Sequence, residues 1–119
     1  MARVISAGNR SEKMANALAA MEDVKGSNLR GQSKDAGEIR GTGKMFGLDN
    51  KETAVLRDAT YVVYSYDTPI LAFVPRNPIA DNGETVDARG WVAFNRRYSV
   101  TTTNHQNIAK RATGARTLI

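Results

Sequence analysis

The densest run of chemically useful side chains is Arg96-Arg97-Tyr98-Ser99-Val100-Thr101-Thr102-Thr103-Asn104-His105-Gln106-Asn107. Thr103 and Gln106 stand at the Ser/Thr-x-x-Glu/Gln spacing of a capping box, which predicts a helix from about Asn104 with His105 in its first turn. A first turn carries unbonded backbone N–H groups and the positive end of the helix dipole, so it attracts anions. Ser99, Thr101, Thr102, Thr103 and Gln106 add hydrogen-bonding groups, and the guanidinium forks of Arg96 and Arg97 match phosphate. His105, next to a positive helix end, is expected to be neutral and able to accept a hydrogen bond near pH 7. Tyr64, Tyr66 and Trp91 are the aromatic side chains that can offer a stacking surface to a base, although each also suits a sheet face.

The same residues admit three readings. In the structural one, Thr103 caps a helix, Ser99 and Thr101 lie on a solvated strand face, and His105 anchors the helix by one hydrogen bond. In the second, the run binds a phosphate group. In the third, His105 is catalytic in a small metal-independent ribonuclease, which requires Tyr64 or Tyr66 and Arg97 to converge on it so that the phosphorane is stabilised electrostatically.

These side chains belong to a chain of 119 residues with 17 Lys plus Arg, 12 Asp plus Glu, one His and no Cys. That length suits a single domain, residues 1–119, with one modest core. Without Cys there is no disulfide framework, thiolate metal site or cysteine nucleophile, and a single His excludes a histidine-rich zinc site. No metal and no cofactor are expected. No apolar run is long enough for a membrane span or a signal peptide, so the expected location is cytoplasmic. Residues 1–87 carry 11 basic and 12 acidic side chains, whereas residues 88–119 carry six basic and no acidic ones. A basic third on a near-neutral body favours a polyanionic partner, nucleic acid or nucleotide, or serves merely as a solubilising surface.

The elements that must position the run are legible in part. Asn9 or Ser11 can cap a first helix whose apolar stripe is Met14, Leu18 and Met21, stopped by Gly26. Residues 26–47 read as irregular; Gly41-Thr42-Gly43-Lys44 lacks the spacing and following Ser/Thr of a phosphate loop and is expected to be a surface loop. Asp49 caps a short helix with Glu52 three residues on and Val55 and Leu56 facing inward. Four strands are expected at 61–66, 70–74, 91–94 and 98–102. Residues 75–90 form a long exposed connection, and residues 1–8 and 114–119 are expected to be loose. The fold class is α+β: a small antiparallel meander of about four strands, with an N-terminal and a C-terminal helix packed on one face.

Two blocks, Tyr61-Val62-Val63-Tyr64-Ser65-Tyr66-Asp67-Thr68-Pro69-Ile70 and Tyr98-Ser99-Val100-Thr101-Thr102-Thr103-Asn104-His105-Gln106, resemble a family of small uncharacterised proteins of tailed phages and prophages, common among actinobacterial phages. The matching positions are Ser65, Tyr66, Thr68, Pro69, Ile70, Trp91, Tyr98, Ser99, Thr101, Thr102, His105 and Gln106, within residues 61–112. The chain departs from the pattern at Leu71, where Ala is usual, and in its longer 75–90 connection. The resemblance implies a phage accessory protein acting in the cytoplasm of an infected bacterium, and it implies no activity. Two partner classes follow. One is a phosphate-bearing molecule held at the Arg96–Gln106 run. The other is a host protein, engaged by the Met14, Leu18 and Met21 stripe and the 75–90 connection. A homodimer is a further expectation.

Overall fold

The structure, a computed structural model, describes residues 4–34 and 49–118. The Gly41–Lys44 run lies outside the described residues. The centre of the fold is a hairpin of β4 (Tyr61–Ser65) and β5 (Thr68–Val74). Every residue of β4 is buried, because both faces of the sheet are covered. Tyr61 and Val63 face one core cluster with Leu71 and Ala93, while Val62 and Tyr64 face another with Ala72, Val74 and Phe94. Continuous β-branched and aromatic runs are what two-sided burial demands of a strand.

Five further strands complete the sheet among the described residues: β1 (Ile5–Ser6), β2 (Val24–Lys25), β3 (Leu29–Ser33), β6 (Gly90–Ala93) and β7 (Arg116–Thr117). They lie side by side in chain order. The fold is α+β, but the expected four-stranded meander is a mixed sheet of seven strands: β1 pairs parallel with β2, and β6 with β7. The ends expected to be loose each supply an edge strand, and part of the segment expected to be irregular is β3, in full register with β4. Gly31 of β3 permits a close approach: a Cβ there would sit 1.9 Å from the Tyr61 hydroxyl, which donates to the Glu22 carbonyl at 2.6 Å.

Three helices cover the sheet: α1 (Glu12–Ala19), α2 (Asn50–Asp58) and α3 (Val100–Thr113). Ser11, not Asn9, caps α1 and accepts from the Met14 N–H. The helix ends at Ala19, well before Gly26, in a Schellman motif: the Glu22 N–H bonds the Ala17 carbonyl and the Met21 N–H the Leu18 carbonyl. Met21 holds the left-handed position there, at φ 56°, that glycine usually fills. Met14 and Leu18 are wholly buried and the partly buried Met21 packs against the same cluster, so this stripe faces the core. Asp49 and Glu52 form the expected capping box on α2. The largest departure is α3. Tyr98–Thr102 is not a strand; Ser99 is the cap, accepting from the Thr102 N–H, and the helix starts at Val100.

The pairing directions fix where the helices go. β1, β2, β4, β6 and β7 run one way, and β3 and β5 the other. The units β1-α1-β2 and β6-α3-β7 advance in the same direction across the sheet, so crossovers of one hand set α1 and α3 on the same face. That is observed: α1 and Ala109 of α3 share one core cluster. The other face is covered by α2 and by residues 75–90. That connection is more ordered than its length implies. Ile79 bridges Thr85, the Asn77 side chain accepts from the Ala88 and Arg89 N–H groups, and Ala80, Val86 and Ala88 are buried.

Candidate functional site at the sheet rim

The loops leaving β1, β2, β4 and β6 all emerge at one end of the sheet, the end at which α1 and α3 begin. Carboxyl ends of strands are where open sheets place ligands. The loops are stitched together there. Asn9 Oδ1 accepts from the Asn28 and Leu29 N–H groups, both at 3.3 Å, and the Tyr66 N–H donates to the Asn28 carbonyl at 2.7 Å. Arg30 bonds the Tyr66 carbonyl and lies 3.5 Å from Asp67, its guanidinium stacked 4.4 Å above the Tyr64 ring.

The backbone of Tyr66 is the least expected feature of this rim. It is the first residue of the two-residue turn between β4 and β5 and has φ 57°. A side chain at such a position costs roughly 1 kcal/mol over glycine, and the ring is 51% exposed. It borders a cleft of about 250 Å³ whose walls include Lys25, Asn28, Arg30 and Asp67. Its other side faces His105, with ring centroids 6.1 Å apart.

His105 lies in the second turn of α3, not the first, and is buried. Its Nδ1 is 2.7 Å from Ser65 Oγ, which also bonds Thr102 Oγ1 at 3.2 Å. A hydroxyl both donates and accepts, so Ser65 Oγ can bond both Thr102 and the His105 Nδ1. Burial lowers the His105 pKa, with the nearby Arg10 charge adding to the effect. The expected neutral imidazole therefore holds in direction, but its causes are desolvation and Arg10 rather than a first-turn dipole.

The remaining expected residues separate into working parts of the fold and free groups. Gln106 is engaged within the fold: its Nε2 donates to the Ile70 and Phe94 carbonyls at 3.0 and 2.9 Å, tying α3 to β5 and to the end of β6. Arg96 is turned to Glu52 at 3.1 Å, joining the loop before α3 to the start of α2. Thr102 is buried against Ser65, and Ser99 is the cap that Thr103 was expected to be. Arg97, Thr101 and Thr103 are exposed on the rim. Tyr64 is buried on the opposite face beneath Arg30, with no ring surface open to a base, and Trp91 packs edge-on against Tyr61 and Phe73 at the far end of the sheet. Of the convergence required for a ribonuclease, Tyr66 meets His105 and Tyr64 does not. The residues of this rim not singled out for the site include Ser65, Arg10, Lys25, Asn28 and Arg30. Ser65-Tyr66 gave a sequence signal, as part of the 61–70 block that carries the resemblance; the meeting of the others depends on pairings across the sheet.

Among the described residues, no cluster of three or more His, Asp or Glu side chains could hold a metal ion, and no helix is long and apolar enough to cross a membrane. The comparisons define a class rather than an activity. The chain belongs to a family of unknown function, DUF8033, whose pattern matches residues 5–117, a span that takes in all seven strands and all three helices described. Comparison with curated proteins and with solved structures returned no match.

Proposed function

We propose that the protein binds a phosphate-bearing partner, nucleic acid or nucleotide, at the rim, with Tyr66 as the stacking surface. The observation that carries this is Tyr66 itself: a half-exposed ring held in a costly backbone conformation beside a cleft with Lys25 and Arg30. Backbone strain of this kind survives where the surroundings impose it, and it collects at binding sites. Arg97 and the exposed hydroxyls of Thr101 and Thr103 meet phosphate on the α3 side, where the helix dipole is positive and the first turn has no acidic residue. His105 and Ser65 support the ring from below and do not touch the partner.

The setting we infer is the cytoplasm of an infected bacterium, supported by the resemblance of the Ser65–Ile70 and Tyr98–Gln106 blocks to phage proteins. A second reading, docking on a bacterial protein, keeps one observation in its favour: Ile79 stands 60% exposed on the otherwise packed 75–90 connection.

The test is the 260/280 nm absorbance ratio of protein purified from a bacterium at low salt, before and after nuclease and a high-salt wash. A raised ratio that both treatments remove supports bound nucleic acid, and one that resists nuclease supports a nucleotide. A protein-like ratio throughout, together with no oligonucleotide binding by the purified chain, refutes the proposal.

A further inference from the structure

A second cleft, of about 490 Å³, opens between the start of α1 and the C-terminal half of α3. Its floor is apolar, made by Ala15, Ile108 and Ala112, and Arg10 and Arg111 stand at its walls. Neither arginine has an ion-pair or hydrogen-bond partner among the described residues. Glu12 is the one acidic group at the cleft, so the cations outnumber it. The volume falls in the roughly 300–1,000 Å³ range of small-molecule sites, which combine an apolar lining with a few polar groups. Two guanidinium groups without carboxylates, standing beside a greasy floor, match a ligand that is itself two-sided.

We propose that this cleft binds a small organic anion, a carboxylate or phosphate carried on an apolar body, with Arg10 and Arg111 taking the anion and Ala15, Ile108 and Ala112 the apolar part. Guanidinium forks pair with both kinds of oxyanion. The site is separate from the Tyr66 cleft and does not rest on the reading of that cleft.

The protein carries its own reporter. His105 is the chain's one histidine, so its ring gives a single set of NMR signals, and the Arg10 charge acts on it. An anion paired with Arg10 cancels that field and moves the His105 titration midpoint upward. The experiment titrates full-length protein with phenyl phosphate, inorganic phosphate and phenol, following the His105 Hε1 resonance, with phenylacetate as the carboxylate arm. Phenyl phosphate or phenylacetate should bind saturably and raise the midpoint, inorganic phosphate at least several-fold more weakly, and phenol without moving it. Arg111→Gln, a surface change remote from the Ser65 contact, should weaken the aromatic anions about tenfold or more. It should leave oligonucleotide binding at the rim intact, so failure of this proposal and of the preceding one are read separately. The proposal is overturned by the absence of saturable binding of either aromatic anion, by equal affinity for inorganic phosphate, or by undiminished binding in Arg111→Gln.

Discussion

Ser65, Thr102 and His105 share one hydrogen-bonded site, and its consequences are those of a buried imidazole. The folded pKa of His105 lies below its ordinary value of 6.5, so at pH values between the two the unfolded chain takes up a proton that the folded chain refuses. Stability is therefore fully present above about pH 6.5 and falls as pH drops below it. The urea midpoint of the wild type should decline between pH 7.5 and pH 5. His105→Asn should start lower at pH 7.5 and lose less over that interval; an equal decline in both would show that other groups control the acid response. Ser65→Ala leaves Nδ1 and the Thr102 hydroxyl short of a partner and should cost about 1–3 kcal/mol in the same assay. The sequence made His105 visible as the chain's only imidazole, and the resemblance marked Ser65, but nothing local could show that residues 40 apart were hydrogen-bonded.

At the scale of elements, α3 tests the account most sharply because a sequence rule and the structure choose different caps. Thr103 and Gln106 fit a capping box by spacing, and the β-branched run at 98–102 fits a strand. Both cues lose to tertiary structure. Ser99 already offers a cap four residues earlier, Thr102 gains Ser65, and Gln106 gains the Ile70 and Phe94 carbonyls. Ser99→Ala should therefore cost about 1 kcal/mol of unfolding free energy, while Thr103→Ala, at an exposed position, should stay within about 0.5 kcal/mol. The opposite order would restore the later helix start. Gln106→Ala removes the donor of two carbonyls and should cost about 2 kcal/mol; Gln106→Glu, which sets a carboxylate against the same oxygens, should cost more. Chemical denaturation measures both. At Asp49 and Glu52 the same three-residue spacing does mark the true cap. The two-residue strands β1, β2 and β7 have no period of their own to read. They exist because a neighbour offers them a pairing edge.

Across the whole molecule, two parallel βαβ units at the margins of one sheet bring two helix N-termini and the β2–β3 and β4–β5 turns to a single rim. Charge counted along the chain misrepresents this surface. Of the six basic residues after 87, Arg96 pairs with Glu52 and Arg116 with Asp87, and Lys110 bonds Thr117. Arg97 is the one among them that the rim exposes to a phosphate, whereas Lys25 and Arg30 come from the near-neutral part of the sequence. A ligand meeting Lys25, Arg30 and Arg97 neutralises two or three phosphates at most. The slope of log K against log salt for a single strand should then be about −1.5 to −2 rather than the steeper dependence of an extended basic face.

The most direct measurement is fluorescence anisotropy of a labelled single-stranded DNA oligonucleotide with wild type and Tyr66→Gly, paired with the urea stability of both proteins. Glycine relieves the left-handed backbone and removes the ring. The account predicts a variant at least as stable as wild type, by up to about 1 kcal/mol, that binds the oligonucleotide tenfold or more weakly, since a stacked base is worth about 1–3 kcal/mol. Equal binding by the two proteins, or no binding by the wild type, would contradict it.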